Sequence, residues 1–158
     1  MVPSSSAESV ESYYTLPAIL LLERDPLEAF FVDSLIHRVL KADVWLWHEE
    51  RFDIALKVLA AAGFRLILLG APVPRLSNRQ VVRRVRALAP DTPIVLRLPP
   101  DELPSGPLNP RIYGGTIIAP KRHAESVLQA VRRVLRPAAA PLTAGDPIAD
   151  PPQGRRGP

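Results

Sequence analysis

The chain has 158 residues, a net charge of +4 and no cysteine. This length supplies one compact domain with terminal tails. The lack of cysteine excludes disulfides, thiolate metal sites and cysteine nucleophiles, and is compatible with a reducing compartment. No apolar run reaches the roughly 20 residues that span a bilayer, and the N-terminus lacks the basic-then-apolar order of a signal peptide. We therefore expect a cytoplasmic protein that does not act at a membrane.

Charge is divided unevenly along the chain. Residues 1–64 carry 5 basic and 10 acidic side chains, whereas residues 65–98 carry 7 and 1, and residues 111–136 carry 6 and 1. Such a division predicts a polarised surface.

Both ends of the chain differ in composition from its middle. Residues 1–15 are rich in serine and short of large aliphatic side chains, and residues 137–158 hold six prolines. Such segments bury too little apolar surface to fold. We expect two disordered tails around one domain over 16–136.

Within that domain, five short apolar runs alternate with amphipathic segments, which is typical of a parallel sheet flanked by helices. The predicted strands cover 18–22, 44–47, 66–69, 93–96 and 116–119.

The first helix is predicted to begin at Pro26, whose fixed φ and missing N–H suit the first helical position, behind Asp25 as its cap. Glu28 stands three residues beyond the cap, as in a capping box. The predicted buried stripe comprises Leu27, Phe30, Phe31, Ser34 and Leu35.

Apolar residues at helical spacing predict three more helices, over about 52–62, 78–88 and 123–136. The second of these starts with the capping-box pair Ser77 and Gln80. Between the last two strands the prolines are too dense for a regular helix. Segment 99–113 is therefore predicted to cross the sheet as a loop with at most one helical turn.

Three segments of the sequence, taken in order, match the pattern of a known family. Residues 20–26 (LLLERDP) look like a first strand followed by an acidic cluster and proline, and residues 85–96 (VRALAPDTPIVL) look like a third helix running into a fourth strand. Ala119-Pro120 follows the fifth strand in the place of a Lys-Pro pair. In order and spacing, residues 17–136 resemble the receiver domains of bacterial two-component response regulators. The resemblance implies a flavodoxin-like α/β fold with a five-stranded parallel sheet in the order 2-1-3-4-5 and a fourth helix that is missing or replaced by a proline-rich loop.

A phosphorylated receiver needs a carboxylate nucleophile, acidic Mg²⁺ ligands, and a hydroxyl and an ammonium that hold the phosphoryl oxygens. The resemblance places the acceptor position at Gly70 and the acidic pair at Glu23-Arg24. It places the hydroxyl at Leu98 and the lysine at Ala119. We therefore predict a degenerate site with no catalytic residue, no metal and no cofactor. The expected protein is a non-enzymatic pseudo-receiver that signals without phosphorylation.

The neighbours of these positions do not restore the site. No Asp or Glu lies between Asp53 and Asp91, and Lys121 follows Pro120, so we expect no ammonium in the site. Because the family's Lys-Pro bond is usually cis, the resemblance also implies a cis peptide at Ala119-Pro120.

Other polar and aromatic residues favour structural roles. Glu23 and Asp25 are read as a helix cap and a surface ion pair rather than a remnant metal site. The three histidines, His37, His48 and His123, have no spacing suited to a metal. Trp45 and Trp47 alternate with smaller apolar residues, which predicts that both pack in the core, with a stacking platform as the alternative.

The predicted partner surface surrounds the last two strands and the last helix, where receivers make contacts. Its candidate residues are Tyr113, Arg132, Arg133 and Arg136. These cations suit an acidic protein partner of a signalling pathway, and a second copy of the chain is an alternative through the same surface.

Three further hypotheses stay open. Arg79, Arg83 and Arg86 share a helical face that suits phosphates, but the third and last helices lie on opposite sheet faces and are not expected to form one footprint, so nucleic acid is the runner-up. A small ligand would occupy a cavity bounded by Glu23, Gly70 and Leu98. Phosphorylation of an unaligned acid is the third.

Overall fold

The computed structural model describes residues 16–136, so the expected tails lie outside the described residues. Its five strands form one parallel sheet in the order β2-β1-β3-β4-β5. The strands are β1 (Ala18–Leu22), β2 (Trp45–Glu49), β3 (Leu66–Gly70), β4 (Ile94–Leu98) and β5 (Thr116–Pro120). The predicted flavodoxin-like α/β fold and strand order are confirmed.

Within residues 16–136, five α-helices connect or follow the strands. They are α1 (Pro26–Ser34), α2 (Phe52–Ala61), α3 (Asn78–Leu88), α4 (Pro110–Tyr113) and α5 (Ala124–Leu135). A π-helical turn, Leu35–Val39, extends α1, and a 3-10 turn covers Pro100–Glu102. The proline-rich segment therefore holds two short helical turns, one more than predicted, and no full-length helix. None of the helices between 16 and 136 has the length and apolar content that a bilayer crossing requires.

The three central strands separate two apolar cores, because successive side chains of a strand point to opposite faces. The core under α1 and α5 includes Ile19, Leu21, Leu68, Val95, Val32 and Val131. The core under α2 and α3 includes Leu20, Leu22, Leu69, Leu96, Leu59 and Val82. Each such side chain contributes about 1.5–3 kcal/mol when fully buried. Burial on both faces explains why these strands are apolar at consecutive positions.

The start of α1 agrees with the prediction only in part. Asp25 caps the helix by accepting a hydrogen bond from the Leu27 N–H, and Pro26 occupies the first turn. Glu28 makes no capping box, because its side chain turns inward and is buried. The inward turn of Glu28 shifts the buried face, so that Leu27 and Phe30 are 68% and 58% exposed. The inward face carries Leu35, as predicted, together with Ala29, Val32 and Ile36.

The two tryptophans are not core residues. Trp45 and Trp47 are 51% and 40% exposed, and neither belongs to the core under α2 and α3. Both lie on β2, one of the two edge strands of the sheet, and α2 packs over the strands further in. The prediction of core packing is therefore wrong, and the stacking platform stays a prediction.

Two local predictions about the loops have opposite outcomes. The capping box of α3 is present, since the Ser77 hydroxyl accepts from the Gln80 N–H and the Gln80 side chain accepts from the Ser77 N–H. The cis peptide predicted at Ala119-Pro120 is wrong, because β5 continues as an extended strand to Pro120, in register with Leu98. The cis X-Pro bond between 16 and 136 is Ala71-Pro72.

Candidate functional site at the carboxyl end of the sheet

The carboxyl ends of the central strands bring together residues that are distant in sequence. Gly70 ends β3 and is in register with Arg97 of β4, which in turn is in register with Ala119 of β5. Glu23 follows β1, the neighbour of β3 on the other side. In an open α/β sheet, ligands bind where the strand order changes direction, which here is between β1 and β3.

The space over Gly70 is filled by a side chain. A β-carbon at position 70 would lie 2.6 Å from Cδ of Glu23 and closer still to Oε2. Glu23 is only 2% exposed, so its carboxylate is enclosed at this point. Residues with a β-carbon are therefore disfavoured at position 70, because the Glu23 carboxylate occupies the place where their side chain would begin.

Glu23 belongs to a network of five charged residues, which we call the ion cluster: Glu23, Glu28, Arg97, Lys121 and Arg122. Arg97, 1% exposed, lies 3.5 Å from Oε2 of Glu23 and donates to Oε2 of Glu28 at 2.7 Å. Lys121 donates to Oε1 of Glu23 at 3.1 Å, and Arg122 donates to Oε1 of Glu28 at 2.7 Å. Buried charges need such partners, because an isolated buried ion loses its hydration without compensation.

Two backbone features complete the ion cluster. The Asp25 N–H donates to Oε1 of Glu23 at 3.1 Å, which fixes the carboxylate from the start of α1. Arg122 has a left-handed φ of 64° directly after Lys121, and these two neighbours reach different carboxylates. The hydrogen bond and charge of Glu28 raise the pKa of the Arg122 guanidinium.

Sequence reasoning missed two members of the ion cluster. Arg97 follows an apolar run and was not singled out, although a lone arginine in a strand buried on both faces must meet a carboxylate. The expectation that no ammonium reaches this end of the sheet is wrong. Lys121 arrives two residues beyond Ala119 because β5 extends through Pro120 and the next residue turns towards Glu23.

The structure brings only some of the predicted positions together. Glu23 and Gly70 are in contact, and Ala119 is buried beside Arg97 in the sheet. Leu98 is buried in the core under α2 and α3, and Arg24 is exposed.

None of the three histidines pairs with a charged side chain of the ion cluster. His37 bonds Asp33, His123 bonds Ser126, and His48 bonds the backbone carbonyl of Glu23. In the described part of the chain, no three His, Asp or Glu side chains form a group suited to a metal ion.

A cavity of about 460 Å³ opens on the other side of Gly70, towards α2 and α3. Four arginines line it, namely Arg24, Arg51, Arg75 and Arg84, and we call it the arginine-lined cavity. Of the three residues predicted to bound a ligand cavity, only Gly70 does so. Glu23 fills the predicted space, and Leu98 packs in the core.

The predicted partner residues lie around the edge strand β5. Arg132 and Arg133 on α5 and Arg136 directly after it are exposed and line one groove, and Arg132 is 3.6 Å from Glu125. Tyr113 is half-buried against the core under α2 and α3.

A neighbouring groove is lined by Arg86 of α3 and Arg133 of α5. The two helices nevertheless pack against opposite faces of the sheet, as expected, and the exposed Arg79 and Arg83 of α3 do not line this groove.

Arg86 differs from the exposed arginines of α3. Its guanidinium donates to the carbonyls of Pro90, Thr92 and Gly114 and to the Thr116 hydroxyl, at 2.7–3.3 Å. Burial lowers the pKa of Arg86, and the charge of Asp91 opposes this shift. Arg86 thus joins α3 to the loop before β5. Arg79 and Arg83 of the same helix are exposed.

Comparison with other proteins gives a fold but no close relative. The sequence matches no protein-family model. No curated protein matches it either. The chemotaxis protein CheY4 of Vibrio cholerae is 19% identical with a TM-score of 0.59, over 77% of this chain and 100% of that one.

Two further solved structures are similar. A response regulator receiver protein from Sinorhizobium medicae is 18% identical with a TM-score of 0.59, over 77% of this chain and 95% of that one. The signal receiver domain of an HD domain-containing protein from Pseudomonas fluorescens is 19% identical with a TM-score of 0.56, over 76% and 94%. The shared property at these identities is the fold of receiver domains.

Proposed function

We propose that this chain is a pseudo-receiver, a cytoplasmic signalling module that acts through protein contacts and without phosphorylation. The observation that carries the proposal is the Glu23 carboxylate, which occupies the space over Gly70 and is held there by Arg97 and Lys121. An internal carboxylate thus fills the place where an acceptor side chain would start.

The charges around this carboxylate argue against phosphoryl transfer. Gly70 offers no nucleophile, and Glu23, the nearest acid, is buried and bonded on both oxygens. A divalent cation near Glu23 would also meet the positive charges of Arg97 and Lys121, which repel it. The glycine at position 70 thus removes the nucleophile, and the cations that hold Glu23 disfavour a metal ion.

The surface that remains for signalling is the one around β5. Arg132, Arg133 and Arg136 are exposed and line one groove beside β5. Guanidinium groups pair with carboxylates in bidentate geometry, so an acidic protein segment is the partner that we propose. A second copy of the chain is the alternative partner at this surface.

The phosphorylation half of the proposal is tested with acetyl phosphate. The full chain is incubated with Mg²⁺ and acetyl phosphate beside a receiver domain that keeps its aspartate, and intact masses are measured. We expect the adduct on the control receiver alone. A stoichiometric phosphoryl adduct on this chain would contradict the proposal.

The docking half needs variants of equal charge. A triple variant, Arg132→Gln with Arg133→Gln and Arg136→Gln, is compared with a matched control, Arg79→Gln with Arg83→Gln and Arg111→Gln. We expect a partner captured by the wild-type chain to be lost from the first variant and kept by the control. Equal capture by both variants would place the contact elsewhere.

A second candidate, nucleic acid, is favoured by one observation. Arg79 and Arg83 of α3 and Arg111 of α4 are exposed and line one groove, so three cations available to phosphates lie close together. Phosphate contacts of this kind give affinity that falls steeply with salt. If the chain binds neither single- nor double-stranded DNA or RNA at low salt, this candidate is eliminated.

A further inference from the structure

Three arginines of the arginine-lined cavity have no carboxylate within 4 Å among residues 16–136. They are Arg24, Arg75 and Arg84. They come from three separate segments, namely the turn after β1, the loop after β3, and α3. The fourth, Arg51, is paired with Asp53 at 2.7 Å. The cavity is therefore lined by three cations that no protein group in the described chain neutralises.

The rest of the lining is mainly apolar. Leu22, Phe52, Val73 and Leu76 line the cavity, and Gly70 contributes backbone without a side chain. A volume of about 460 Å³ lies in the ordinary range for small-molecule sites, which combine apolar walls with a few convergent polar groups. The cavity also lies between β1 and β3, where ligands bind in sheets of this topology.

The charges of the lining favour a monoanionic or dianionic guest. Like charges around one cavity repel each other, so an anion between them interacts favourably with all three arginines. Asp53 does not cancel this field, since its hydrogen bonds to Arg51 form a local pair and lower the pKa of the Asp53 carboxyl. Glu50 is the other acid of the lining, and its charge offsets part of the positive charge of the three arginines.

The backbone at Arg75 adds to this picture. Arg75 has a φ of 65°, in the left-handed region that side chains other than glycine, asparagine and aspartate rarely adopt. A residue without a β-carbon would suit this turn better, yet the turn carries one of the three cations. Backbone strain of this kind is concentrated at functional sites.

We infer that the arginine-lined cavity binds a small organic anion, whose phosphate, sulfate or carboxylate head pairs with the three arginines and whose apolar body lies against Leu22, Val73 and Leu76. This site is separate from the ion cluster, which lies on the opposite face of the sheet beyond Gly70. It does not depend on the pseudo-receiver proposal, because a ligand-binding cavity is compatible with either outcome of the phosphorylation test.

The site is tested by titrating the ¹⁵N-labelled full chain with phenyl phosphate, benzoate, inorganic phosphate and phenol. We expect saturable amide shifts at Gly70, Arg75 and Leu76 with phenyl phosphate or benzoate. Inorganic phosphate and phenol should bind more weakly, since each lacks half of the recognised chemistry. The two aromatic anions distinguish a phosphate from a carboxylate head.

Adjacent arginines of α3 provide the matched variants. Arg84 lines the cavity and Arg83 does not, so Arg84→Gln is expected to weaken binding of the aromatic anion about tenfold, while Arg83→Gln leaves it unchanged. The inference is overturned if no probe gives saturable shifts at millimolar concentration. It is also overturned if phenol binds as well as the anions, or if the two variants respond alike.

Discussion

The two sides of Gly70 use the same kinds of side chain in opposite ways. On the face of α1 and α5, Arg97 is 1% exposed and bonded to two carboxylates. On the face of α2 and α3, Arg24, Arg75 and Arg84 are exposed and have no carboxylate within 4 Å in the described chain. The comparison separates charges that maintain the fold from charges that are available to a ligand.

The largest expected effect is on the ion cluster. Arg97→Met leaves Glu23 and Glu28 buried without their shared partner, and breaking a buried pair in this way costs about 3–5 kcal/mol. Urea unfolding measures the loss. Arg122→Met removes another partner of Glu28, but its side chain is 72% exposed, so its effect should be much smaller.

A second substitution then identifies the cause of that loss. Adding Glu28→Met to Arg97→Met should recover part of the stability, because it removes one of the two buried carboxylates that have lost their buried partner. A double variant no more stable than Arg97→Met alone would attribute the loss to packing rather than to charge.

The next effect concerns the contact between Gly70 and Glu23. Gly70→Ala places a β-carbon against Glu23 and should cost about 1–3 kcal/mol through overpacking. Gly63→Ala is the matched control, since nothing lies within 4 Å of a β-carbon there. In a Glu23→Ala background the cost of Gly70→Ala should nearly vanish, as measured by a double-mutant cycle in urea. Additive costs would show that Glu23 does not fill this space.

A loss of the same order is expected at Arg86, which contacts four oxygens without an ion pair. Arg86→Gln should cost about 1–3 kcal/mol, the usual effect of removing bonds to a charged group. Hydrogen exchange should speed up at Gly114 and Thr116, where two of those bonds end. The same exchange rates in Arg83→Gln serve as the reference, and equal rates in both variants would remove the assigned role.

The smallest expected effect on stability is that of replacing an arginine of the arginine-lined cavity. Arg84→Gln should change the free energy of unfolding by no more than about 0.5 kcal/mol, because an exposed arginine without a partner contributes little to stability. Urea unfolding without added anions provides the measurement. A loss comparable to that of Arg97→Met would mean that the cavity arginines also maintain the fold.

Most of the fold could be predicted because its signals are local. β1 was predicted over exactly the residues it occupies, since a strand covered on both faces is apolar throughout. The α3 capping box is readable from Ser77 and Gln80 alone. The exposure of Trp45 and Trp47 was also within reach, because the predicted strand order already placed their strand at an edge.

The site was harder to predict because its contacts are not local. Glu28 matches a capping box in sequence, and only the position of Arg97 in three dimensions shows why it turns inward. The resemblance placed the family's lysine at Ala119, whereas the ammonium that reaches Glu23 belongs to Lys121, two residues later. The chemistry at position 70 likewise depends on Glu23, which the sequence presents as a surface residue.

The ion cluster also has a consequence for how the chain assembles. Its four ion pairs join residues 69 to 98 positions apart, from the start of α1 to the turn after β5. Closing such long loops is entropically costly. These ion pairs therefore form after the helices and after the parallel strand pairs, which join residues closer in sequence. The cluster is complete only once β5 has joined the sheet. The charges that hold the space over Gly70 therefore come together only when α1, β4 and the turn after β5 have all taken their places.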